Sequence, residues 1–246
     1  MDETFESERE GKREQSRLLG RVFGYMALGL GVTAIVSLII SLIFAGWISK
    51  DPNNPAIGNV YLGLVIGSGI ALLIDTLVMH FVMLRGKHSL WVPYILYTAL
   101  MGIFLSSFVL AGVDFWVFAE AFGLTALVFL IMFFIGYFSP ANLNILGMVA
   151  LGLLFSFLFI GGFFGLFYLI AGNVGAYYWY EFIASIVLAV FILIIVAVDG
   201  YNIKKISQQG AVSNNLALYM AFSMYTDFIS IFIRILYLLL VLKNKN

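Results

Sequence analysis

The chain has 246 residues, 63% of them hydrophobic and 11% charged, with a formal net charge of zero. That balance leaves too little polar surface for a water-soluble globule, and a neutral chain with dispersed basic residues is not built to hold nucleic acid. Cysteine is absent, which removes disulfides, thiolate metal sites and a cysteine nucleophile.

The first 21 residues mix Glu3, Glu6, Glu8, Glu10 and Glu14 with five basic side chains. The apolar run that follows is too long for the core of a signal peptide, so it reads as an uncleaved first span. Apolar blocks at 22–48, 57–84, 90–111, 115–138, 143–171, 178–203 and 213–242 each exceed the roughly 20 residues that cross a bilayer. The expectation is an all-α polytopic membrane protein of seven spans, with a charged tail at 1–21 and a short one at 243–246. Between the first two spans, Ser49-Lys-Asp-Pro-Asn-Asn-Pro55 forbids helix continuation. The other connections are short, and none leaves room for an extramembrane catalytic domain. Glycines number 24, and pairs such as Gly63/Gly67 and Gly161/Gly165 have the small-xxx-small spacing that lets helices approach in lipid.

Basic residues set the orientation. Arg9, Lys12, Arg13, Arg17 and Arg21 in the tail, Arg85 and Lys87 after the second span, and Lys204 and Lys205 after the sixth fall on one side. Only Lys50, Lys243 and Lys245 fall on the other, nine against three. The N-terminus is therefore expected in the cytoplasm and the C-terminus outside, although Lys243 and Lys245 pull against that placement. Asp51, Asp114, Glu120 and Glu181 give the outer side an acidic character that would concentrate cations.

Ionisable residues inside spans are costly and so are functional candidates. Asp75 and His80 lie in the second span, Asp199 in the sixth, Asp227 and Arg234 in the seventh, and Arg85 closes the second. At ~1.5 Å per residue, Asp199 is placed roughly 6 Å from the inner end of its span and Asp227 nearer mid-membrane. With Arg85 snorkelling inward, all three can meet in the cytoplasmic half. Two facing aspartates would not both ionise easily, so they would titrate as a pair and sense pH. Ionised, they offer hard oxygens for transient binding of a divalent cation, with carbonyls and water completing the ~6–8 ligands that Ca²⁺ takes. Asp75 and Arg234 form a candidate secondary charge pair, as a strut or an outer gate. His80 lies about 140° around the helix from Asp75, so a shared face is not expected.

Three stretches resemble the transmembrane Bax inhibitor motif family, also called the Bax-inhibitor-one-like family: Met224-Tyr-Thr-Asp-Phe-Ile-Ser-Ile-Phe-Ile-Arg-Ile-Leu236, Val198-Asp-Gly-Tyr-Asn-Ile203 and Phe23-Gly-Tyr-Met-Ala-Leu-Gly-Leu30. Many members read Asp-Thr-Gln where this chain has Asp199-Gly-Tyr201. The resemblance implies a bundle with the last helix central and a pH-sensitive calcium leak. It gives Asp199 and Asp227 the sensor role and Arg85 the role of a latch on them.

A proton-coupled calcium antiporter could use the same acid pair, and a non-transporting regulatory scaffold would need no flux at all. An intramembrane aspartyl protease is disfavoured, because Met224-Tyr-Thr and not glycine precedes Asp227, and no proline follows Pro140. No lysine within the last span could carry a retinal Schiff base, and His-Glu-x-x-His is absent. The expectations are no enzymatic activity, no cofactor, calcium ions, protons and lipid as partners, a monomer, and residence in a bacterial plasma membrane.

Overall fold

The computed structural model describes residues 2–51, 54–86, 88–172, 174–208 and 212–243. Pro52, Asn53, Lys87, Lys245 and the rest of the tail beyond 243 lie outside the described residues. Among those described there are seven α-helices and no strand: α1 Asp2–Lys50, α2 Pro55–Arg85, α3 Trp91–Leu110, α4 Phe115–Phe138, α5 Asn144–Ile170, α6 Val174–Ser207 and α7 Asn214–Lys243. Each contains a segment long and apolar enough to cross a membrane. Leu73, Phe159 and Ile170 stand 72%, 85% and 86% exposed, which suits lipid and would be untenable in water on this scale.

Two differences from the sequence expectation concern helix ends. The charged tail is helical, continuous with the first span. The sixth helix runs on to Ser207, so Asp199 lies eight residues, or roughly 12 Å, from its end and not 6 Å. Polar residues such as Lys204, Lys205 and Asn202 continue a helix readily once it leaves the hydrocarbon, so hydropathy alone ends it too early.

Local chemistry explains the joints. Asn54 caps α2, its side chain accepting from the Ala56 amide at 3.0 Å, and Pro55 occupies the first turn, where its missing N–H costs nothing. Gly86 ends α2 at φ 63°, with its N–H on the Val82 carbonyl at 3.1 Å.

The helices form two compact units. In the first, α3 packs against α1 and α2, joined by residues 214–225 of α7. A Cβ on Gly102 would press on the Thr33 carbonyl and on Val36, so α1 and α3 approach backbone to backbone. Tyr225 hydrogen bonds to Thr33 at 2.5 Å, and Thr33 donates to the Thr98 carbonyl at 2.9 Å. Tyr225→Phe should cost about 1 kcal/mol, because a buried hydroxyl network loses one member; thermal unfolding in detergent reads it.

In the second unit α6 packs on α4 and α5, joined by residues 226–243 of α7. Here the glycines that matter are Gly136 and Gly200. A Cβ on Gly136 would overlap the Ala197 backbone, and one on Gly200 would meet the Phe133 carbonyl and the Tyr137 amide. The spaced glycines divide: Gly161 and Gly165 pack on Tyr180, whereas Gly63 and Gly67 are exposed with nothing nearby. The expected packing role is therefore corrected for that first pair, because spacing does not tell a lipid-facing stripe from an interface.

Candidate functional site

The site builds from α6 outward. Ala197 faces Gly136 of α4, Val198 faces Gly147 of α5, and Gly200 faces Phe133 of α4. Successive residues turn by about 100°. With 197 and 200 given to α4 and 198 to α5, the carboxyl of Asp199 is left for the third sector of the helix.

α7 brings Asp227 to this region. Phe228 lies edge-on to Phe122 and Phe129 of α4, with ring centroids 5.4 and 5.5 Å apart, and Phe232 stacks on Phe118 at 6.1 Å. Positions 118, 122 and 129 share one face of α4, so the aromatic seam fixes the rotation of α7 about its axis. At the end of the seam Lys243 pairs with Glu120 at 2.9 Å, both about half exposed. This surface pair adds little stability: Lys243→Gln should cost less than about 1 kcal/mol, and added salt should erase the difference in a thermal scan.

Asp227 and Asp199 are close enough for their carboxyl charges to act on each other directly. The Oδ2 atom of Asp227 is fully buried and has no hydrogen-bond partner among the described residues. A carboxylate oxygen enclosed in this way is stabilised by a proton shared with its neighbour or by a bound cation. No group of three or more acidic, histidine or cysteine side chains that could hold a metal ion occurs among the described residues.

Each of the other candidates is described within its own unit. Arg85 is exposed in the last turn of α2, in the first unit. Asp75 is buried in the first unit, and Arg234 is half-buried in the second. His80 is exposed, with Nδ1 2.8 Å from the Thr76 carbonyl and its ring edge-on to Tyr219. Sequence reasoning passed over Tyr94, Tyr97 and Tyr225, which are buried together in the first unit. Their only signal was tyrosine at interior depth in an apolar span, where a hydroxyl needs a partner.

No curated protein matches the chain. A family model described as "Inhibitor of apoptosis-promoting Bax1" matches residues 15–245, nearly the whole length. With seven helices able to span a bilayer and this match, the chain is an integral multi-pass membrane protein that belongs to the Bax1-I family.

Proposed function

We propose that the protein is a pH-sensitive calcium leak, in which Asp199 and Asp227 bind the cation transiently and sense pH. The observation that carries this reading is the Asp227 oxygen, buried without a donor beside a second carboxyl. Family membership supports it, since calcium leak activity is associated with the family. The pair needs no cofactor and performs no bond-breaking step, so the protein acts as a conductor and not as an enzyme. Calcium ions, protons and the bilayer are its partners, and one chain suffices.

In this reading the N-terminus is cytoplasmic, in a bacterial plasma membrane. The Lys243–Glu120 pair supports an outward C-terminus, because Glu120 on the acidic side neutralises the lysine that argued against it.

The test is calcium flux into proteoliposomes. A leak carries calcium down its own gradient with no proton gradient imposed. Flux that appears only when a proton gradient is imposed would replace the leak with an antiporter, and absence of flux would leave a regulatory scaffold. Arg85→Ala tests the latch that the resemblance assigns: it should raise flux at neutral pH toward the acid level.

A further inference from the structure

The first unit carries positive charge where α1 enters the membrane, and the aspartate pair makes no use of it. On α1, Arg13, Arg17, Arg21 and Tyr25 follow one another at intervals of four, so they share one face of the helix. The apolar run begins at residue 22. Arg17 and Arg21, about 6 Å apart along the axis, therefore stand at the level of lipid headgroups. Beneath them Tyr25 meets an exposed Trp91 of α3 edge-on, with ring centroids 4.9 Å apart. Tyrosine and tryptophan collect at that boundary because their rings suit the apolar side and their polar tips the wet one.

Arg21 is held in place from one side only. Its Nη1 donates to the Val212 carbonyl at 3.3 Å and to Asn214 Oδ1 at 2.9 Å. The next residue, Asn215, donates to the His88 carbonyl at 2.9 Å, which ties the α2–α3 loop to the same corner. Both bonds of Arg21 use one nitrogen. The opposite edge of the guanidinium, Nε with Nη2, keeps two parallel N–H groups that match two oxygens of a phosphate. Arg17, one turn further out, is exposed and enters no hydrogen bond or ion pair among the described residues.

The neighbouring segments of this unit do not offset the charge. Residues 15–50, 80–94 and 212–220 contain no acidic residue. Glu14 lies roughly 10 Å farther from the apolar run than Arg21 does. A zwitterionic headgroup would bring an ammonium that finds no counter-charge in these segments, whereas an anionic one brings its phosphate alone.

We propose that Arg17 and Arg21, with the Tyr25–Trp91 ring pair beneath them, form a binding site for the headgroup of an anionic phospholipid in the leaflet on the N-terminal side. The arginines take the phosphate, and the rings pack on the glycerol and the upper acyl chain.

The test is lipid-selective fluorescence quenching of the full chain in bilayers. Trp47→Phe, Trp116→Phe and Trp179→Phe leave Trp91 as the single tryptophan. Brominated phosphatidylglycerol should take the place beside Trp91 on the order of five-fold better than brominated phosphatidylcholine, the effect of about one paired arginine. Arg17→Gln breaks no contact of the fold and should cut that preference about two-fold or more; adding Arg21→Gln should abolish it. A chain with Trp47 alone, at the opposite end of the same helix, should show no preference. Equal quenching of Trp91 by the two lipids overturns the proposal, and so does a preference that Arg17→Gln leaves unchanged. A preference equally strong at Trp47 overturns it as well, because it marks attraction to the whole protein. If dissolved glycerol phosphate removes the preference, the site takes free phosphate and not a lipid, and the proposal falls. None of these readings depends on calcium flux, so failure of the leak leaves them standing.

Discussion

Asp227→Asn should give, at pH 8, the calcium flux that the unsubstituted protein shows only in acid. An asparagine carries the charge and shape of a protonated aspartic acid, so the substitution fixes one member of the pair in its acid form. The sign follows from the latch. In the proposed reading an ionised pair would hold a positive group and keep conduction low, and protonation would remove that charge, so flux is expected to rise as pH falls. A gate driven by one shared proton changes its open population by at most about ten-fold per pH unit. The unsubstituted protein should therefore vary by more than about ten-fold and at most about a thousand-fold between pH 8 and pH 5, and either Asp199→Asn or Asp227→Asn by less than about two-fold. If both variants keep the full pH profile in proteoliposomes, the pair is not the sensor. Loss of cleavage of a transmembrane substrate in the same variants would instead point to protease chemistry.

The largest stability effect is expected at Gly136. Its α-carbon faces the Ala197 backbone so closely that any Cβ overlaps it, and backbone cannot rotate away as a side chain can. Gly136→Val should destabilise by about 3 kcal/mol, at the upper end for overpacking, and lower the unfolding midpoint in detergent by on the order of 5–10 °C. Gly200→Val should behave similarly, because it meets the Phe133 carbonyl and the Tyr137 amide. Gly63→Ala and Gly67→Ala, with nothing nearby, should change the midpoint little or raise it slightly, since alanine favours the helix. Equal losses at Gly63 and Gly136 would contradict this assignment.

The seven helices were legible because lipid imposes a length on apolar blocks that no soluble fold demands. The nearness of Asp199 and Asp227 was legible for a related reason: carboxyls inside apolar spans are few and stand out as candidates. Glycine contacts were not legible in the same way. Gly136 and Gly200 are 64 positions apart and belong to no spacing motif, whereas Gly63 and Gly67 fit a motif and face outward. Helix α6 runs four residues past the expected span end at 203, where polar residues from Lys204 to Ser207 continue it. The tyrosines of the first unit were passed over because their role depends on which hydroxyl gives its proton to which carbonyl, and that requires coordinates.

The backbone contact of α6 with α4 bears on how an ion would travel. Gly200 follows Asp199 directly, and its contact with Phe133 and Tyr137 leaves no gap for solvent on that flank. A calcium ion bound at the pair as proposed would then keep water only on the flank away from α4. Separating these two backbones with a larger residue would do more than loosen the fold: in the proposed leak it would admit water to the dry side and lower the cost of dehydrating the ion.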